Sequence, residues 1–151
     1  MTGTEFNSVP TICDGDRIEF CHHNNNKLNY QEEELMKLGI LIKEGPYMHQ
    51  AMDTAYNFIL AAMESGHEIT GVFFYNDGVY NRCATLEPPR DERNIMKLLT
   101  ELELKGVRLI VCVAAGKRRG IVNQTVCKVE EISGLGQLLE LCITSDRTVT
   151  F

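Results

Sequence analysis

The stretch Val107-Arg108-Leu109-Ile110-Val111-Cys112-Val113 decides the fold. Apart from Arg108 it is apolar throughout and rich in β-branched residues. A run of this length and character reads as a strand buried on both faces, the kind found in parallel sheets with helices on either side. It is the most hydrophobic strand of the chain and is expected to lie at the centre of the sheet. Gly106 precedes it, and Ala114-Ala115-Gly116 and the basic triplet Lys117-Arg118-Arg119 follow it.

Working outward, the neighbouring segments alternate between the two periodicities. Upstream, Asp91 is positioned to cap a helix running to Lys105, with Ile95, Leu98, Leu99 and Leu102 inward and Gly106 as its stop. Before that, Ile69–Tyr75 reads as a strand ended by Asn76-Asp77-Gly78. His49–Ser65 reads as a helix, with Ala51, Ala55, Phe58 and Ala62 on one stripe and Gly66 at the C′ position. Leu38–Lys43 reads as the first strand. Downstream, Asn123–Lys128 reads as helical, Val129–Ile132 as a short strand, Gly134–Ser145 as the last helix and Arg147–Phe151 as the last strand. Strands and helices alternating at these lengths predict βαβ units and a mainly parallel α/β sheet covered on both faces.

Residues 1–35 stand apart. They lack periodicity, carry His22-His23-Asn24-Asn25-Asn26 and an acidic run at Glu32-Glu33-Glu34, and hold most of the chain's net charge of −6. They are expected to be a disordered acidic extension, or leader sequence upstream of a start at Met36, with the folded domain spanning 36–151. The rest of the chain is nearly neutral, with no basic face of the size nucleic-acid binding requires. No apolar run reaches the ~20 residues of a membrane span. The first ten residues lack the pattern of a secretory signal, so a cytoplasmic location is expected.

The six cysteines form no C-x-x-C pair and read as reduced thiols. Cys127 and Cys142 fall on helices as packing residues, and Cys83 lies on a loop near the strand ends. Cys13, Cys21, His22 and His23 match no zinc spacing. Cys112 differs from all of these. In an open α/β sheet, chemistry gathers at the carboxyl ends of the strands, and Cys112 lies at that end of its strand. The free N–H groups of the next segment and the cations Lys117, Arg118 and Arg119 would favour its thiolate. Glu44, Tyr47 and His49, on the turn after the first strand, are candidates to line its pocket. Cys112 to Arg118 also has the C-x5-R spacing of thiol phosphatases. Arg119 stands where those enzymes carry a hydroxyl, and no general-acid loop is visible, so that reading is set aside.

Several blocks taken together resemble the DsrE/TusD family of sulfur carriers: Glu44-Gly45-Pro46-Tyr47-Met48-His49-Gln50-Ala51, Val72-Phe73-Phe74-Tyr75 with Asp77-Gly78-Val79, Val111-Cys112-Val113-Ala114-Ala115 with Arg118-Arg119-Gly120, and Ser133-Gly134-Leu135-Gly136. The Glu44–His49 block is closer to the DsrE branch than to the TusD branch. The resemblance implies a three-layer αβα sandwich with a five-stranded, mostly parallel sheet. It implies a sulfurtransferase that holds sulfane sulfur as a persulfide on Cys112, with no metal or organic cofactor. It also implies a hetero-hexamer with two paralogous DsrF/DsrH-like subunits, an upstream sulfur donor, and a small DsrC-like acceptor in sulfur oxidation. Two alternatives stay open: a TusE-like acceptor in tRNA thiolation, or a structural subunit with no sulfur traffic of its own.

Overall fold

The structure is a computed structural model and describes residues 34–121 and 132–151. The expectations for residues 1–33, for a helix over 123–128 and for Cys127 lie outside the described residues. The elements in order are strand β1 (Lys37–Ile42), helix α1 (Ala51–Glu64), strand β2 (Glu68–Phe74), a 3₁₀ helix η1 (Asn76–Arg82), helix α2 (Ile95–Leu104), strand β3 (Leu109–Cys112), helix α3 (Val113–Arg118), strand β4 (Ile132–Ser133), helix α4 (Leu135–Thr144) and strand β5 (Arg147–Thr150).

The sheet has five strands in the order β4-β3-β2-β1-β5, and every described pairing is parallel. β2, not β3, is central. β3 keeps its apolar character because it is flanked on both sides: Val111 pairs with Phe74 of β2 and with Ile132 of β4. The outer partner β4 is only two residues long. The chain steps from β1 to β4 in one direction and then returns to place β5 beside β1.

Strand alternation sorts the side chains onto two faces. Leu38, Ile40 and Ile42 of β1 are buried. Ile40 and Ile42 join Val72 and Phe74 of β2, Ile59 of α1 and Leu99 and Leu102 of α2 in one core cluster. On the other face Gly39 and Gly71 sit side by side in register. A Cβ at Gly39 would stand 2.7 Å from Leu141 Cδ2, and one at Gly71 would stand 3.1 Å from Leu141 Cδ1. The two glycines thus form the seat of α4, whose one buried residue is Leu141. Helices on both faces of a parallel sheet complete the αβα sandwich.

Several element ends differ from the expected ones for local reasons. α1 begins at Ala51, not His49, because His49 and Gln50 have φ of 48° and 54°, which a right-handed helix does not accommodate. α2 is capped by Asn94, whose side chain accepts from Lys97 N at 3.1 Å; Asp91 lies before the helix and does not cap it. The expected stops are found. Gly66 (φ 87°) bonds back to Met63 and His67 to Ala62, and Gly106 (φ 86°) and Val107 repeat the pattern on Glu103 and Leu102. This double back-bond requires a left-handed residue at C′, which glycine supplies without strain.

Candidate functional site

Cys112 is the last residue of β3 and the N-cap of α3. In the register it lies opposite Ser133 of β4. The thiol is free and has 0% exposure. It shares a buried cluster with Val79 of η1, Ala115 of α3 and Ile121 just beyond α3. The thiol is therefore buried at the strand end, in a core cluster to which the two short helices that leave β2 and β3 contribute.

Of the basic triplet, Lys117 and Arg118 fall in the last turn of α3 and Arg119 is its C-cap. Counted from Cys112, the ~1.5 Å rise per residue puts Arg119 about 10 Å along the axis, at the opposite end of α3. Lys117 and Arg118 are exposed. Arg119 points elsewhere: its Nε donates to Asp77 Oδ1 at 2.6 Å, and its NH1 group donates to the Ala115 carbonyl at 3.3 Å. The Arg119 carbonyl in turn accepts from the Tyr80 hydroxyl at 3.3 Å.

The turn after β1 is held in an unusual backbone shape. Tyr47, His49 and Gln50 all have positive φ, as does Asn76 at the start of η1. Non-glycine residues in this region carry strain that the surrounding contacts must hold. One such contact is the fully buried Asn81, whose Nδ2 donates to the Glu44 and Gly78 carbonyls, both at 2.9 Å. The Glu44 carboxylate meets His49 Nδ1 at 3.3 Å, near the surface. The Tyr47 hydroxyl donates to the Arg93 carbonyl at 3.0 Å, and partial burial pushes its pKa above the ordinary tyrosine range. Glu44, Tyr47 and His49 therefore cluster at the end of β1. β1 is two strands from β3, about 10 Å at ordinary strand spacing. They share the carboxyl edge of the sheet with Cys112, and η1 lies between the two groups.

Among the other thiols, Cys83 is half-buried with its Sγ 3.3 Å from Thr85 Oγ1, and Cys142 is exposed on α4 rather than packed. Among the described residues no group of three His, Cys, Asp or Glu side chains is placed to hold a metal ion. No described helix is long and apolar enough to cross a membrane. Sequence reading missed two residues at this edge, Asp77 and Asn81. Asn76-Asp77-Gly78 signals a turn, but nothing local tells that Asp77 reaches Arg119 across 42 residues.

The DsrE/DsrF-like family matches residues 36–151. Among curated relatives, the putative sulfurtransferase DsrE of Allochromatium vinosum is 47% identical over 128 residues, covering 77% of this chain and 98% of its own. The sulfurtransferase TusD of Salmonella typhi is 36% identical over 128 residues, covering 77% of this chain and 100% of its own. The crystal structure of the YchN protein from E. coli superposes with a TM-score of 0.66 over 78% of this chain and 100% of its own; at 21% identity it supports the fold alone. The sequence blocks and the parallel αβα sandwich converge with these matches: the chain belongs to the DsrE/DsrF-like family and groups with its sulfurtransferases.

Proposed function

We propose that this chain carries sulfane sulfur as a persulfide on Cys112 and relays it to a small DsrC-like acceptor in sulfur oxidation. The carrying unit is residues 36–151, and it works in the cytoplasm as one subunit of a hetero-hexamer with two DsrF/DsrH-like paralogues. The observation that carries this reading is the 47% identity to a DsrE, against 36% to a TusD. The place of Cys112, at the carboxyl end of an inner parallel strand, supports it.

The chemistry needs only a thiolate and anion-tolerant surroundings. The Cys112 thiolate attacks the outer sulfur of a donor persulfide, R–S–SH. The new S–S bond forms as the donor's S–S bond breaks, and R–S⁻ leaves. The product, Cys112–S–SH, offers its outer sulfur to the acceptor thiolate, and the Cys112 thiolate is the leaving group. Sulfane sulfur enters and leaves in the same oxidation state, so neither step calls for an external oxidant or reductant. Lys117 and Arg118, open to solvent in the last turn of α3, supply long-range positive charge to an approaching anionic donor or acceptor.

Mass spectrometry after incubation with a sulfane-sulfur donor, with each cysteine mapped, tests this reading. A gain of one sulfur on Cys112 is expected. Cys112→Ser is expected to abolish loading and leave the circular dichroism spectrum unchanged, because the swap removes little volume. Loading on Cys83 or Cys142, or none at all, rejects it. Chasing the loaded protein with a DsrC-like and a TusE-like acceptor in parallel then separates sulfur oxidation from tRNA thiolation.

A further inference from the structure

A thiol with 0% exposure cannot receive sulfur as it stands. Among the described residues, two short elements contribute to the buried cluster that holds Cys112: η1, from the end of β2, and α3, which starts at the cysteine itself. Val79 of η1 and Ala115 of α3 share its buried cluster. Two side-chain hydrogen bonds join η1 to the far end of α3, and both end on Arg119: Asp77 accepts from Nε at 2.6 Å, and Tyr80 donates to its carbonyl at 3.3 Å. The second arm of the guanidinium is fixed to the Ala115 carbonyl, so the side chain grips its own helix while it holds η1. The pair sits at the water boundary, with Asp77 at 59% and Arg119 at 22% side-chain exposure. Salt or a competing anion reaches it there without entering the core.

We infer that the Asp77–Arg119 ion pair is a latch that keeps α3 closed against η1 and so controls access to Cys112. The inference rests on the reading of Cys112 as the sulfur-bearing thiol, and it assigns Arg119 a different part from Lys117 and Arg118. Asp77 and Arg119 are positioning residues: they act on the thiol only through the two helices they tie together. The consequence has a definite sign. If Arg119 served to stabilise the thiolate, neutralising it would slow alkylation of Cys112. As a latch, neutralising it speeds alkylation, because the rate follows the population of the opened form.

The test measures alkylation of the full chain by iodoacetamide, with rates for Cys112 and Cys142 read separately by peptide mapping. Cys142 is already exposed and serves as the internal standard. Asp77→Asn and Arg119→Gln are each expected to raise the Cys112 rate about fivefold, the effect of an ordinary partly exposed ion pair. The double variant is expected to go no further than Arg119→Gln alone, because once Arg119 is gone Asp77 has no ion pair left to lose. Raising salt from about 20 mM to about 1 M is expected to accelerate Cys112 in the wild type and not in either variant, since only an intact pair is screened. Cys142 should label alike throughout. Three results overturn the latch: a Cys112 rate unchanged or slowed in either variant, fully multiplicative effects in the double variant, or acceleration that climbs with urea as steeply as global unfolding does. Sulfur loading of the wild type is scored separately. A Cys112 that obeys the latch yet never takes up sulfur refutes the persulfide reading and leaves the latch standing.

Discussion

Gly78 sets the geometry of the strand-end edge by what it lacks. Its N–H donates to the Lys43 and Tyr75 carbonyls, both at 2.9 Å, and a Cβ there would overlap the Ile42 carbonyl. That close approach brings η1 down onto the end of β1 and lets Asn81 reach the Glu44 carbonyl. Backbone cannot retreat as a flexible side-chain tip can, so even one methyl group must displace η1. Gly78→Ala is therefore expected to cost about 1–3 kcal/mol, the usual scale for overpacking a tight site. Urea denaturation of the two proteins checks it, and an unchanged midpoint would show that η1 has room to shift. The same displacement should loosen the cover over Cys112 and raise its alkylation rate.

Among the elements, α2 shows how a cap and a cross-helix bond hold one layer. Asn94 alone caps it, so Asn94→Ala is expected to cost about 1 kcal/mol and Asp91→Ala almost nothing. Thermal unfolding of both variants distinguishes Asn94 from the residue that sequence reading favoured. α2 is tied to α1 by the buried Tyr56, whose hydroxyl donates to Glu101 Oε2 at 2.6 Å. Donation to that carboxylate, and then burial, raise the phenol pKa above its ordinary value of 10.0. The folded protein thus holds the phenol proton to higher pH than the unfolded chain does. The bond's contribution is complete below pH 10 and is lost as pH rises through the folded-state value. Tyr56→Phe is expected to lose about 1 kcal/mol at neutral pH. The gap from wild type should narrow in denaturation curves taken progressively above pH 10. A gap constant across that range would mean the bond contributes nothing.

At the scale of the whole molecule, a parallel sheet hides what it brings to its carboxyl edge. Cys112 lies inside that edge, while Cys142 lies outside on α4. A limiting dose of iodoacetamide on the native protein is accordingly expected to modify Cys142 well before Cys112, despite the charged triplet that follows the latter in sequence. Peptide mapping checks the order. Cys112 labelling first would mean that the strand end stands open in solution. The same placement separates Glu44, Tyr47 and His49 from the thiol: they share its edge of the sheet but belong to a strand two places away. Tyr47 is well exposed on the turn after β1, whereas Tyr75 and Tyr80, at and within η1, are half-buried, and Tyr80 is bonded to Arg119.

Periodicity and punctuation were enough for the layered α/β class and for nearly every element. Val107–Val113 read as a covered strand, and Leu109–Cys112 is one; Gly66 and Gly106 read as helix stops, because those readings depend on local backbone preference and on which face is apolar. The family blocks, too, are local strings, and they singled out Cys112. What lies between elements was not legible. Sheet order placed β2 at the centre because strand pairing depends on the path of each crossover, which hydrophobicity does not encode. The triplet Lys117-Arg118-Arg119 read as thiolate-stabilising charge close to Cys112, yet helical backbone from Val113 carries it to the far end of α3. There Arg119 meets Asp77, a residue from the preceding strand end. Charge near a cysteine in sequence became charge holding its cover closed, because distance along a chain and distance in space part company wherever two elements pack side by side.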